Sequence, residues 1–297
     1  MREQQLQRIS DRIANKAKVK RGLKCHVFDV DRVIFNGHLL TNFVFEVAHE
    51  FPDRHPIHDT LLGIRQRVVM GRLPLKTLNS LVLQYVENGF FVGLPYVKVA
   101  AIAERLATNL DVASSAFPLE IVSVLRALLD QEMDGVVVAI TGAPEEIVVP
   151  FCRRFGFDGV ISSVYVCDED GLYTCDRDLE AAFRKGQVMD TLANAFGFCW
   201  GASLGMGDSV RDLGILNRVG YPFAINPEPA LLDEVRTGGR IAYVEENEER
   251  GARIFKADGE GRLHEVSLQE VLPKDLCNFV APIRGSLDNK TLATALL

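Results

Sequence analysis

Five polar residues in this chain have side chains that could bind a metal ion and an anionic group together. Asp29 and Asp31 lie two residues apart in HVFDVDRVIFNG, within an apolar run. Thr141 follows the run GVVVAI, Lys185 lies in FRKGQVMDTLANAF, and Asp208 follows LGMG. A buried aspartate is costly unless it is paired, hydrogen-bonded or bound to a metal ion. The first two aspartates therefore need a partner of this kind.

Three carboxylates, one hydroxyl and one lysine favour a site for a divalent cation and a phosphoryl group. Carboxylate oxygens suit hard ions, and Mg²⁺ usually keeps several waters and leaves room for a substrate phosphate. Such a cation would also allow crowded carboxylates to stay ionised. Taken singly, Asp208 could cap a helix and Lys185 could be an exposed helix residue. Asp212, four residues after Asp208, belongs to the same run, GMGDSVRDLGIL.

The elements that must position these residues are apolar, β-rich runs that alternate with helical patterns. The runs are LKCHVFDV, GVVVAIT, DGVISSV, GASLGMGD and GYPFAIN. This alternation predicts an α/β fold with a doubly wound, mostly parallel sheet of the Rossmann-like kind. In open sheets of this class, ligands bind beyond the carboxyl ends of the strands. The candidate residues fall at such ends or at adjoining helix starts.

The stretch between Leu40 and Ala116 shows helical spacing with hardly any strand signal. We interpret it as a helical insertion between the first two strands. After Arg240, RIAYVEEN predicts a strand, and ARIFKADGEGRLHEVSL predicts a hairpin that turns at Asp258-Gly259 or Gly261. The predicted organisation is an N-terminal helical extension over 1–21, a catalytic core over 22–40 and 117–245, a helical cap over 41–116, and a C-terminal extension over 246–297.

Composition and charge exclude several classes of protein. The net charge of −7 over 297 residues argues against a nucleic-acid partner, which usually needs a basic surface. No apolar run reaches the length of a membrane span, and the N-terminus is too polar for a secretory signal. The six cysteines lack metal-type spacing and are too few for a disulfide scaffold, so we expect reduced thiols in the cytoplasm. The oligomeric state is left open.

The motifs also resemble a known family. Asp29-Val-Asp31 with Val33-Ile34, then Thr141, Lys185 and GDSVRD resemble, in this order, the four motifs of the haloacid dehalogenase-like phosphohydrolases. The predicted hairpin VYVCDEDGLYTCDRDL and the run AINPEPALLDEV are similar to the phosphoserine-phosphatase-like branch, and the helical insertion resembles the cap of that branch. The resemblance covers roughly residues 22–245.

The resemblance implies a covalent mechanism. Asp29 would be the nucleophile that attacks phosphorus and becomes an aspartyl phosphate. Asp31 would protonate the leaving oxygen and then deprotonate the water that hydrolyses the intermediate, as is normal in two-step catalysis. An acid at position 31 also favours phosphate esters over carbon–halogen bonds, because halide leaves without a proton.

The resemblance further implies which residues bind the phosphate and the metal ion. Thr141, with Gly142, would hold phosphoryl oxygens, and Lys185 would neutralise charge on the phosphate and on the nucleophile. Mg²⁺ would be bound by Asp208, by the carboxylate of the nucleophile, Asp29, and by the backbone carbonyl of the acid–base residue, Asp31. Asp212 would orient this shell of ligands rather than bind the ion directly.

Several residues depart from the phosphoserine phosphatase pattern. His38 stands where those enzymes usually carry an acid, and GRLPLKTLNSLVLQY lacks the expected arginine, so phosphoserine is not the expected substrate. We expect His38 to be a polar loop residue without a catalytic part. Arg32 replaces a small residue, and its contact with either substrate or solvent is left open. We further expect core packing of aromatic residues and unbridged hairpin cysteines: Phe90, Phe91 and Tyr96, and Cys167 and Cys175.

The function predicted from these residues is Mg²⁺-dependent hydrolysis of a small phosphomonoester through an aspartyl phosphate. The cap would select the leaving group and exclude water during attack. Two alternatives remain open. The same residues would serve transfer of the phosphoryl group to an acceptor alcohol. A non-catalytic phosphoacceptor or ligand-binding module would also group acids, a hydroxyl and a lysine.

Overall fold

The computed structural model describes residues 3–16, 23–53, 58–110, 135–247 and 251–272. Its central element is a nine-stranded sheet in the order β4-β3-β2-β1-β5-β6-β7-β8-β9. The strands are β1 (Lys24–Phe28), β2 (Gly135–Pro144), β3 (Gly159–Cys167), β4 (Tyr173–Asp178), β5 (Leu204–Gly207), β6 (Tyr221–Ile225), β7 (Ala242–Asn247), β8 (Gly251–Ala257) and β9 (Leu263–Glu265).

The middle of this sheet is parallel and its two edges are antiparallel. Strands β3, β2, β1, β5, β6 and β7 pair in parallel, whereas β4 pairs with β3, and β8 with β7 and β9, in antiparallel fashion. Val27 lies opposite Val138 of β2 and Gly205 of β5, which sets the register of the central strands. The predicted α/β fold with a mostly parallel sheet is confirmed.

Helices cover both faces of the sheet, which explains why the central strands are apolar on both sides. On one face Phe28 packs with the helices that follow β1 and β2. On the other face Val27 packs with Ile9 of the N-terminal helix and with Val188 and Met189. The helices are α1 (Glu3–Lys16), α2 (Leu39–Glu50), α3 (His58–Val69), α4 (Leu75–Glu87), α5 (Tyr96–Asn109), α6 (Glu145–Arg154), α7 (Glu180–Phe183), α8 (Lys185–Phe196), α9 (Leu213–Leu216), α10 (Pro229–Gly238) and α11 (Leu268–Val271).

The described part of the insertion between β1 and β2 is helical, as predicted, and contains α2 to α5. Its predicted end at residue 116 lies outside the described residues, so the boundaries of the cap stay a prediction. Phe90 and Phe91 are buried, but the prediction for Tyr96 was wrong, because this side chain is 46% exposed. Tyr96 is the first residue of α5, and its ring centroid lies 6.0 Å from that of Tyr173.

Both predicted hairpins are present. In the first, Cys167 of β3 lies opposite Tyr173 of β4, and both hairpin cysteines are free. In the second, β8 and β9 join at a turn in which Asp258 Oδ1 accepts hydrogen bonds from the backbone of Glu260 and Arg262. This hairpin extends the central sheet, and the predicted boundary at residue 245 falls inside β7.

No described helix is long and apolar enough to cross a membrane.

Candidate active site

The candidate residues collect at the carboxyl edge of the parallel strands. Asp29 directly follows β1 and Asp208 directly follows β5, and these two strands are neighbours in the sheet. The backbone N–H of Asp29 donates to the carbonyl of Met206 at 2.9 Å, which joins the two strand ends. Lys185 begins α8, and Asp212 ends a short 3₁₀ helix, Val210–Asp212. All four of these side chains are buried.

Lys185 lies between two carboxylates. Its Nζ is 3.0 Å from Asp29 Oδ2 and 2.6 Å from Asp212 Oδ1. Burial alone would lower the pKa of this lysine, but the Asp212 and Asp29 carboxylates hold it above its usual value. The lysine therefore stays charged and can neutralise an anionic group beside Asp29.

Asp212 uses both of its carboxylate oxygens within the chain. Oδ1 accepts from Lys185, and Oδ2 accepts from the backbone N–H groups of Asp208 and Ser209, each at 3.0 Å, and from Ser209 Oγ at 3.1 Å. Burial acts to raise the pKa of Asp212, but Lys185 and the backbone donors outweigh it and lower the pKa. Asp212 thus positions the lysine and the loop that carries Asp208.

Asp29 and Asp208 are buried acids with few compensating donors. Asp29 Oδ1 accepts from the N–H of Val30 at 2.8 Å, and burial, opposed by Lys185, raises its pKa to about 7. Burial and the neighbouring Asp29 and Asp212 raise the pKa of Asp208 to about 8. The local sequence accounts for this crowding, because each aspartate directly follows a short buried strand.

Arg32 is the one site residue that the sequence left undecided and the structure places. Its Nη1 lies 3.1 Å from Asp208 Oδ2, and its Nη2 donates to the carbonyl of Asn226 at 3.3 Å. The side chain is 37% exposed, so it covers the edge of the acidic cluster without being buried. The sequence held no signal for this pairing, since the two residues are distant in the chain.

The Asp31 carboxylate contacts the start of the helical insertion, and its charge also helps to raise the pKa of Asp29, although burial is the main cause of that shift. Its Oδ1 accepts from the N–H of Leu39, in the first turn of α2, at 2.7 Å. Its Oδ2 lies 3.8 Å from Nδ1 of His38. Asp31 is therefore placed where the core meets the insertion, and His38 adjoins it.

Thr141 and Gly142 lie on β2, which is also a neighbour of β1. The predicted strand run, GVVVAIT, ends at Thr141, but β2 continues to Pro144. Thr141 is buried, and its Oγ1 accepts from the N–H of Ala143 at 3.2 Å. A Cβ at Gly142 would lie 3.1 Å from Cβ of Ala182, so its backbone packs closely on α7.

The donor set fits a hard divalent cation. Asp29, Asp208 and Asp212 each offer one carboxylate oxygen, and these oxygens lie within 4.8 Å of one another. Because both oxygens of Asp212 accept hydrogen bonds, Asp29 and Asp208 are the better pair of ligands. The three carboxylates outnumber their nearby cations, Lys185 and Arg32, which leaves negative charge for a metal ion to balance.

A Rossmann-like sheet with buried acids and a lysine at its carboxyl edge defines an α/β enzyme. The chain belongs to the haloacid dehalogenase-like hydrolases, whose family model matches residues 26–217. The match spans all of the candidate residues, and the family resemblance drawn from the motifs is confirmed. The protein is therefore a hydrolase by family.

Individual relatives are more distant. A Streptomyces azureus protein called inhibition of morphological differentiation protein is 32% identical over 107 residues, which are 36% of this chain and 38% of that protein. The chain therefore matches well under two thirds of that relative's length. A protein of unknown function from Bordetella pertussis Tohama I has a TM-score of 0.54 at 21% identity, over 73% of this chain and 97% of that one. A probable phosphoserine phosphatase from Vibrio cholerae has a TM-score of 0.48 at 14% identity, over 89% of this chain and 67% of that one.

Proposed function

We propose that this protein is a Mg²⁺-dependent phosphatase that hydrolyses a small phosphomonoester through an aspartyl phosphate on Asp29. The observation that carries the proposal is the contact of 3.0 Å between Asp29 Oδ2 and the buried Lys185 Nζ, beside the Asp208 carboxylate. Phosphoryl transfer depends mainly on positioning and on neutralisation of charge, and this arrangement supplies both.

In the first step the Asp29 carboxylate attacks phosphorus while the bond from phosphorus to the ester oxygen breaks. Asp31, which faces the insertion, protonates that leaving oxygen. In the second step Asp31 takes a proton from a water that attacks the same phosphorus, and the bond to Asp29 breaks. The placement of Asp31 between core and insertion supports this exchange of roles, because leaving group and water would enter from that side.

Charge on the phosphoryl group is balanced by fixed groups of the chain. Lys185 is held by Asp212 and donates toward the nucleophile, Asp29. Thr141 and Gly142 would hold phosphoryl oxygens from the neighbouring strand. Mg²⁺ would be bound by the Asp29 and Asp208 carboxylates and the Asp31 carbonyl, and would supply positive charge beside the phosphate.

The substrate class rests on the insertion. The predicted cap over 41–116 would select the leaving group and exclude water during attack. Tyr173 of the hairpin pairs with the insertion through its backbone, donating to Leu94 and accepting from Gly93. This contact supports a cap that closes the site from one side. His38 follows the first motif, where phosphoserine phosphatases carry an acid, so a substrate other than phosphoserine is favoured.

The nucleophile is tested with an Asp29→Asn variant and a generic aryl phosphate in the presence of Mg²⁺. Turnover should be lost with the fold retained, because an amide cannot attack phosphorus. Asp233→Asn is the matched control, since Asp233 is 76% exposed and its ion-pair partner is Arg236 of the same helix, and should keep full activity. Wild-type-like turnover in the Asp29 variant would refute the role.

A panel of phosphorylated metabolites, tested with the wild-type protein and Mg²⁺, identifies the substrate. Phosphate release measured with and without added alcohols separates hydrolysis from transfer to an acceptor. A phosphorylated protein that accumulates without turnover would instead identify a non-catalytic phosphoacceptor.

A further inference from the structure

The proposed mechanism leaves one cation of the site without a role. Arg32 Nη1 lies 3.1 Å from Asp208 Oδ2, and Asp208 is the acid assigned to Mg²⁺. The guanidinium thus contacts one of the two oxygens of a proposed metal ligand. Two cations at one carboxylate also repel each other, and the repulsion is stronger in a partly buried site than in water.

The backbone holds Arg32 in an uncommon conformation. Its φ is +61°, in the left-handed region that side chains with a Cβ rarely adopt. Its N–H donates to the carbonyls of Phe35 at 2.6 Å and Gly37 at 3.1 Å, which closes a tight turn after the second aspartate. Such a conformation persists only where the surroundings determine it strongly.

A second anchor directs the guanidinium from the opposite side. Arg32 Nη2 donates to the carbonyl of Asn226, and these two are the non-glycine residues with positive φ among the described residues. Asn226 is itself fixed to Glu246, because its Nδ2 donates to that carbonyl at 3.1 Å and its Oδ1 accepts from that N–H at 2.9 Å. The acceptor for Arg32 is therefore rigidly held.

We propose that Arg32 is an internal counter-ion that competes with Mg²⁺ for Asp208 and thereby sets the metal affinity of the site. The inference rests on the proposed function, since it takes Asp208 as a metal ligand. The side chain of Arg32 is 37% exposed, so it can turn to solvent when the metal ion binds. Lys185 is buried between two acids and cannot leave in this way.

The test is a calorimetric titration of Mg²⁺ into the full-length, metal-stripped chain. Arg32→Met should bind Mg²⁺ at least tenfold more tightly than the wild type, because the competing charge is gone. Arg211→Met is the matched control. Arg211 is an exposed cation three residues from Asp208, but its guanidinium lies over the ring of Phe183, 5.3 Å from the centroid. Its removal should leave the dissociation constant unchanged within about twofold.

Each outcome has a distinct meaning. An unchanged or weaker affinity in Arg32→Met overturns the competition while leaving the metal site intact. Absence of Mg²⁺ binding in both wild type and variants overturns the competition together with the metal-dependent mechanism. Should Arg32→Met fail to fold, Arg32→Gly removes the same charge and tolerates the left-handed backbone, and the same tenfold tightening is expected.

Discussion

At the scale of single residues, the site depends on the close packing of Asp212 against Gly207. Asp212 contacts both Lys185 and the backbone N–H of Asp208. It can approach them because residue 207 is a glycine and has no side chain. A Cβ at Gly207 would lie 2.3 Å from Cβ of Asp212. Gly207 is therefore needed at the site, because a larger residue would displace Asp212.

Gly207→Ala should lower both stability and turnover, because Asp212 must move away from Lys185 to make room. Overpacking of this kind typically costs about 1–3 kcal/mol. Urea denaturation and aryl phosphate turnover measure the two effects. Gly63→Ala is the control, since a Cβ in that helix meets nothing within 4 Å, and it should be neutral or slightly stabilising. Equal behaviour of the two variants would contradict the argument.

At the scale of elements, the junction of α6 with the hairpin contains a half-buried acid. Glu146 lies in the first turn of α6, and its Oε1 accepts from the hydroxyl of Tyr173 at 2.8 Å. Its Oε2 is buried and has no hydrogen-bond partner among the described residues. Burial, only partly opposed by its own backbone N–H and by Tyr173, raises the pKa of Glu146.

This raised pKa makes stability depend on pH in a defined direction. Between the ordinary glutamate pKa and the raised one, the folded state binds more protons than the unfolded state, so stability falls as pH rises. Glu146→Gln removes this contribution. The free energy of unfolding should fall less between pH 5 and pH 8 in the variant than in the wild type. Glu104→Gln, at an exposed position of α5, should match the wild type, and identical slopes in all three proteins would contradict the prediction.

At the scale of the whole molecule, the site joins segments that are far apart in the chain. Its acids come from the ends of β1 and β5 and its lysine from the start of α8, while Leu39 of the insertion donates to Asp31. The proposed metal ion would link the first two segments, and it would therefore bind the folded state and not the unfolded one. Folding and metal binding should therefore support each other.

Mg²⁺ should raise the melting temperature of the wild type, with a stabilisation of about 2.7 kcal/mol at a hundredfold excess over the dissociation constant. Asp208→Asn should abolish this response to Mg²⁺, since it removes a proposed ligand. Asp170→Asn, in the exposed turn of the β3–β4 hairpin, serves as the control and should respond as the wild type does. A melting temperature that Mg²⁺ does not change in the wild type would exclude the metal site.

The sequence by itself determined the sheet class, the helical insertion and the family. These follow from local patterns: apolar runs, helical periodicity and ordered motifs near strand ends. The sequence also allowed one site to be predicted from four residues, Asp29, Lys185, Asp208 and Asp212. The prediction was possible because carboxyl ends of parallel strands meet at one edge of a sheet. Their catalytic roles and the Mg²⁺ ion stay predictions.

Only the tertiary structure decided which side chains from different elements contact one another. The pairing of Arg32 with Asp208, the contact of Glu146 with Tyr173 and the exposure of Tyr96 depend on which elements face each other in space. Local propensity carries no information about such contacts. Their geometry arises from sheet order and side-chain packing, which join residues that no short stretch of sequence contains.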